Sequence, residues 1–242
     1  MAEVATIASL ATAGGTLVLA LATFSSTRSA NRAARVSEQA LNVGLRPVLF
    51  NARPQDPPQK VAYQDDHWVR LRDGLAAVQV SEENVYLSMP LRNVGPGLAV
   101  LHGWDLWPHR PIGDLHPHPP PEAFHRQGRD IYVPAGDIGF WQAALRDPED
   151  PLYRPVRDAV EARGGITVDL LYGDHEGGQR TITRFFLRPR SQVDEEPWLW
   201  TCSTSRHWNL DRPDPRERDW PGAQAPSRRA RLCPACALPS AS

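Results

Sequence analysis

Three groups of residues carry side chains able to do chemistry. Asp174, His175 and Glu176 are consecutive and lie between two stretches of strand-like alternation. Two carboxylates flanking an imidazole could act as acid and base, or as part of a metal site. Gly177-Gly178 follow directly, so the same residues also suit a polar turn, in which Asp is tolerated and Gly supplies positive φ. The second group is His109, His116, His118 and His125, with Asp114 and Glu122 close by. His116 and His118 could ligate zinc, although a His-x-His pair needs two further ligands to fix a tetrahedral site. The prolines around them favour an exposed polyproline-like loop. The third group is Cys233-Pro234-Ala235-Cys236. A zinc ribbon needs a second such pair, and a redox pair needs a helix N-terminus in a folded domain. The candidates are therefore Asp174, His175 and Glu176 for catalysis, and His116, His118, Cys233 and Cys236 for metal. In each case the plain structural reading is the simpler one, and no catalytic, cofactor or metal site is expected.

Other chemistry is missing from the pattern. There is no Gly-x-Ser-x-Gly elbow, no phosphate loop and no Gly-x-Gly-x-x-Gly, and no cofactor is expected. Asp65-Asp66-His67 precedes a strand and reads as a turn. Trp104, Trp107, Trp141, Trp198, Trp200 and Trp208 could form a ligand platform, but packing in a β core is the commoner use of tryptophan.

The elements that would position these groups are mostly strands. Val85, Leu87, Met89 and Leu91 alternate with polar or small neighbours, and Pro90 among them suggests an edge or a bulge. Asn93 to Gly97 reads as a turn, followed by a strand over 98–107. A second pair, 166–172 and 180–187, reads as a hairpin with a longer connection. Shorter strand candidates are 48–51, 67–71, 77–80, 130–133 and 139–143, and 155–163 suits one helix. Seven to nine short strands with Gly/Pro turns predict an antiparallel, immunoglobulin-like β-sandwich over 46–212. The segment 213–242, rich in Pro and Arg, reads as a disordered tail.

The amino-terminal segment is different in kind. From Val4 to Thr27 there is no charge. As a helix this stretch would span roughly 36 Å, enough for a bilayer core. Val4, Ile7, Leu10, Leu17, Val18, Leu19, Leu21 and Phe24 favour insertion by roughly 2 to 5 kcal/mol, opposed by the threonines and glycines between them. A signal peptide and a buried helix also fit such a segment. The first lacks its basic n-region, and the second rarely runs this far without charge, so a transmembrane helix over 4–27 is favoured. Arg28, Arg32 and Arg35 follow it, which places the N-terminus outside and the rest in the cytoplasm at the plasma membrane. An amphipathic juxtamembrane helix over 28–45 continues it, ended by Gly44 and Pro47. Ala11 and Gly15 form a small-xxx-small pair that admits a homodimer.

Composition narrows the partners. The chain has 242 residues, with 27 basic against 28 acidic side chains and a net charge of −1. That balance argues against nucleic acid as a partner. Three cysteines are too few for a disulfide framework and suit a reducing compartment. The 24 prolines are about twice the usual share and disfavour a mostly helical fold.

The stretches LRNVGPGLAVLHGW (91–104), YVPAGDIGFWQ (132–142), VDLLYGDHEGGQRTI (168–182) and RHWNLDRPDPR (206–216) resemble a family of uncharacterised actinobacterial proteins. Members have a membrane helix, a second helical stretch and an Arg-Pro pair opening a β-rich domain, matched here by Arg46-Pro47. The resemblance covers residues 4 to about 216. It implies the architecture and carries no activity. Together these readings predict a membrane-anchored cytoplasmic interaction or scaffold module. The alternative is a metal-dependent enzyme or sensor built on Asp174, His175 and Glu176.

Overall fold

The computed structural model describes residues 2–111, 118–190 and 198–212, with the side chains of the first helix described from Leu19 onward except at 39 and 42. That helix, α1 (Ala2–Leu45), is one continuous rod of 44 residues, roughly 66 Å at 1.5 Å per residue. The juxtamembrane stretch over 28–45, predicted to continue the segment over 4–27, is the second half of α1. Leu19, Leu21, Phe24, Val36, Leu41 and Val43 are exposed along it. Among the described residues no helix is long and apolar enough to cross a membrane.

The rest is mainly β. The strands are β1 (Leu49–Asn51), β2 (Gln59–Ala62), β3 (Trp68–Leu71), β4 (Ala76–Ser81), β5 (Asn84–Asn93) and β6 (Ala99–Trp107). They continue with β7 (His125–Arg126), β8 (Tyr132–Val133), β9 (Ile138–Leu145), β10 (Ile166–Gly173), β11 (Arg180–Pro189) and β12 (Leu199–Asn209). A helix, α2 (Tyr153–Glu161), precedes β10, with Pro155 tolerated in its first turn. Ten strands form one antiparallel sheet in the order β1-β5-β4-β12-β11-β10-β6-β7, with β8 beside β6 and β9 beside β5. β2 and β3 make a separate hairpin. The predicted strands over 85–92, 98–107, 166–172 and 180–187 are present as β5, β6, β10 and β11.

Alternation explains the core. Val85, Leu87, Met89 and Leu91 of β5 join Ile166, Val168, Leu170 and Tyr172 of β10 in one buried cluster with Trp141, Phe185 and Trp200. On the outer face of β4 and β5, the hairpin β2–β3 buries Val61, Val69 and Leu71 against Ala77, Tyr86 and Leu199. At about 25 cal/mol per Å² of apolar surface, such burial is the main stabilising contribution. The two ends of the sheet meet where Val133 of β8 lies against Gly139 of β9; a Cβ at Gly139 would come within 2.8 Å of the valine.

Pro90 is neither at an edge nor at a bulge. It pairs with Phe140 of β9 on one side of β5. On the other side β4 pairs only as far as Ser88 and β1 only from Leu91. Its carbonyl accepts from Ala52 N–H on that side, so the missing donor falls in the gap between two partner strands. Proline is tolerated there because no ladder bond is lost.

The turn after β5 is organised by a buried amide. Asn93 Oδ1 accepts from the N–H groups of Val48 (3.1 Å) and Gly95 (3.0 Å). Its Nδ2 donates to the carbonyls of Gly97 (2.7 Å) and Val133 (3.0 Å). One side chain thereby ties together the end of β5, the entry to β1 and β8. Gly97 is required because a Cβ there would lie 1.8 Å from the Leu45 carbonyl, where α1 ends against the domain.

Candidate functional site

The residues singled out by sequence separate in space. Asp174 is buried, and its Oδ1 accepts from the Gly178 N–H at 3.0 Å. That bond closes the turn which Gly177 completes at φ +76. His175 and Glu176 are exposed, with His175 Nε2 3.2 Å from Glu176 Oε1. So the aspartate braces the loop from inside while its two neighbours face solvent. His118 Nδ1 is 2.8 Å from the Pro119 carbonyl, and its ring meets Trp208 edge-on at 5.7 Å. His116, Cys233 and Cys236 lie outside the described residues. Among the described residues no three His, Cys, Asp or Glu side chains converge as a metal-binding group.

A constellation that sequence reasoning missed crosses the outer face of the sheet. Asp105 of β6 faces Asp169 of β10, Asp169 faces Arg184 of β11, and Arg184 faces Arg206 of β12. Arg184 holds Asp169 with two bonds, Nε to Oδ1 at 2.8 Å and Nη2 to Oδ2 at 2.7 Å. The guanidinium groups of Arg184 and Arg206 lie 4.9 and 5.0 Å from the Trp208 ring centroid, and that of Arg184 lies 5.8 Å from Trp107. Burial pushes the Asp169 carboxyl up, against the pull of Arg184. Burial also raises Asp105, and the Asp169 charge beside it adds to the rise. Thr167 Oγ1 donates to the His109 carbonyl at 2.8 Å, fastening the following loop over this face. The Asp169–Arg184 pair in the middle of this row ties β10 to β11.

The groups left facing outward with polar capacity to spare are elsewhere. β7 leads into the turn Gln127-Gly128-Arg129, which runs beside β9. Between them lies a cleft of about 210 Å³ lined by Tyr63, Trp104, Arg126, Gln127, Arg129, Gln142 and Arg146, among others. Trp104 forms its floor, stacked on His125 at 4.6 Å and 14°. Gln127 is 7% exposed and donates through Nε2 to the Arg129 carbonyl at 2.7 Å. Gln142, also 7% exposed, donates through Nε2 to Asp130 Oδ2 at 2.6 Å. Both amides thus have their nitrogens fixed, and the Oε1 atom of each is buried with no hydrogen-bond partner. Buried acceptors of this kind cost free energy until a donor meets them. Arg126 and Arg129 are exposed on the rim, and Arg146 reaches across to Asp65 at 3.2 Å.

The only signal of this cleft in the sequence is Arg126-Gln127-Gly128-Arg129, two arginines either side of a glycine. Gln142 is remote in sequence and reads as an ordinary strand residue.

These features define a mainly β domain with a polar surface cleft, carried behind a long N-terminal helix. No known family model, curated protein or solved structure matches the chain.

Proposed function

We propose that this chain is a non-enzymatic recognition module, anchored by a single membrane-spanning segment, with its β domain in the cytoplasm. The observation that carries the recognition reading is the cleft: two buried glutamine oxygens without donors and two rim arginines stand beside an aromatic floor. Such groups bind and orient; they include no nucleophile paired with a base. Anchoring is supported by the uncharged run from Val4 to Thr27 and by the arginines at 28, 32 and 35. In this reading the lipid bilayer covers residues 4–27. The antiparallel pairing and short Gly/Pro turns support an immunoglobulin-like sandwich as the nearest description of the domain. The resemblance to membrane-anchored actinobacterial proteins points the same way. Exposed Val36, Leu41 and Val43 on the distal half of α1 support a second copy of the chain as a partner.

Membranes washed with alkaline carbonate should retain the full chain, and a cytoplasm-only reporter fused at the C-terminus should be active. Recovery in the soluble pool, or digestion by protease added to intact cells, overturns the anchored reading. Native mass spectrometry tests recognition: the full chain should carry a bound small molecule that Arg126→Gln/Arg129→Gln loses. The second reading is a metal-dependent enzyme or sensor at the Asp174 loop, favoured by the 3.2 Å approach of His175 to Glu176. Stoichiometric zinc that disappears in His175→Ala would establish it in place of the first.

A further inference from the structure

We propose that the cleft between the 126–129 turn and β9 binds a small phosphorylated polyol, a phosphate with hydroxyl groups a few bonds away. This deepens the recognition reading and rests on it. Three arginines, Arg126, Arg129 and Arg146, line the cleft. A single arginine is enough for a carboxylate, whereas a phosphate offers several oxygens to several planar donors. Arg146 is already bonded to Asp65. Arg126 and Arg129 flank Gly128, where a Cβ would meet nothing within 4 Å, so the turn stays open above the floor.

Arginines alone would recognise any anion. The two glutamines set the rest of the ligand. Each Nε2 already donates, to Arg129 O or Asp130 Oδ2, and the atom left without a partner on each is the buried acceptor Oε1. Acceptors discriminate in favour of a ligand that carries O–H donors close to its charge, because only those donors relieve the buried oxygens. The phosphate sits toward Arg126 and Arg129, and the hydroxyls sit toward Gln127 and Gln142. The open cleft of about 210 Å³ has room for a ligand of the size of glycerol phosphate. Glycerol phosphate occurs free, as a monoester, and as the diester headgroup of phosphatidylglycerol; an anionic phosphate with glycerol hydroxyls beside it is common to both.

The test is calorimetric titration of the full chain in phosphatidylcholine nanodiscs with glycerol 3-phosphate, inorganic phosphate and glycerol. Glycerol 3-phosphate should bind at one site, at least tenfold more tightly than inorganic phosphate, and glycerol should not bind. Arg126→Gln/Arg129→Gln, two exposed positions, should weaken binding at least tenfold with an unchanged melting temperature. Nanodiscs containing phosphatidylglycerol tell the sources apart: suppressed uptake of the free ligand means the headgroup occupies the cleft, and unaltered uptake means the soluble form does. Equal binding of inorganic phosphate, or undiminished binding by the double variant, overturns the proposal. If glycerol 3-phosphate fails while a different molecule co-purifies and is lost in the double variant, only the ligand class falls. If nothing binds by either route, the recognition reading falls with it.

Discussion

Arg184 and Asp169 face each other on adjacent strands and form a two-pronged ion pair, with side chains only 8% and 0% exposed. The pair sits mid-row between Asp105 and Arg206, beneath Trp107 and Trp208. Removing one member takes a buried, doubly bonded counter-ion away from the other. Asp169→Leu or Arg184→Met should therefore each destabilise the domain by about 3 to 5 kcal/mol. The double substitution should be far milder than the sum, because a buried pair gives little net stability over an apolar replacement. Urea unfolding of the four proteins checks this, and additivity would show that the pair is not coupled.

How much of this could be read from the sequence depends on the range of the interaction. Strands β5 and β10 were legible because their apolar residues recur every second position. β12 was not: Ser203, Thr204, Ser205 and Arg206 are polar on both faces, and the strand is held through pairing with β11 and through Trp200 in the core. The row of Asp105, Asp169, Arg184 and Arg206 comes from four separate strands, so only the register reveals it. Asp174, His175 and Glu176 stood out because they are adjacent, and adjacency in a turn turned out to be local bonding. The cleft joins a turn at 126–129 with Gln142 on another strand, which no local pattern encodes. Asn93 was legible as part of a turn, but its reach to Val133 was not.

Asp65 links the β2–β3 hairpin to the sheet and should give that link an acid limit. Burial pushes its carboxyl up, but hydrogen bonds from Tyr86 and Arg146 outweigh burial and hold it at about 2, below the ordinary 3.8. Its stabilising contribution is therefore present above the ordinary value and is lost as pH falls through the folded value. With side chains 31% and 39% exposed in the Asp65–Arg146 pair, solvent keeps the effect under about 1 kcal/mol. Asp65→Asn should abolish that part of the stability change between pH 4 and pH 2, read from urea midpoints. An unaltered pH profile would show that the carboxylate contributes nothing.

The turn that receives α1 is equally specific. In Gly97→Ala the new methyl would meet the Leu45 backbone, not a movable side chain, so the end of α1 must shift, at about 1 to 3 kcal/mol. Asn93→Asp keeps the acceptor for Val48 and Gly95 but turns a carboxylate toward the carbonyls of Gly97 and Val133. It should cost more, on the order of 3 kcal/mol, by loss of two donors in a buried site. Thermal unfolding of both variants, with Gly128→Ala as an open-space control, distinguishes these site-specific costs from a general intolerance of turns.

A buried chain of hydroxyls behind β1 predicts a second pH limit, near neutrality. Leu49 N–H donates to Tyr172 Oη at 3.1 Å, Tyr172 lies 2.9 Å from Thr183 Oγ1, and Thr183 lies 2.7 Å from His207 Nδ1. With His207 in the neutral tautomer protonated on Nε2, the protons run one way: Tyr172 donates to Thr183 and Thr183 donates to Nδ1. A proton on Nδ1 would reverse the chain and leave the Tyr172 hydroxyl, whose own pKa burial pushes up to about 12, without an acceptor. Burial lowers His207 from its ordinary 6.5, so the unfolded chain binds the proton first. Stability should then fall as pH drops below about 6.5, toward the lower folded value. His207→Gln should flatten that slope, while Tyr172→Phe should lower stability by about 1 to 3 kcal/mol at every pH by orphaning the Leu49 N–H. If His207→Gln leaves the slope between pH 7 and pH 5 as it is in the unsubstituted chain, some other histidine sets it; if Tyr172→Phe leaves stability unchanged, this chain of hydroxyls is passive.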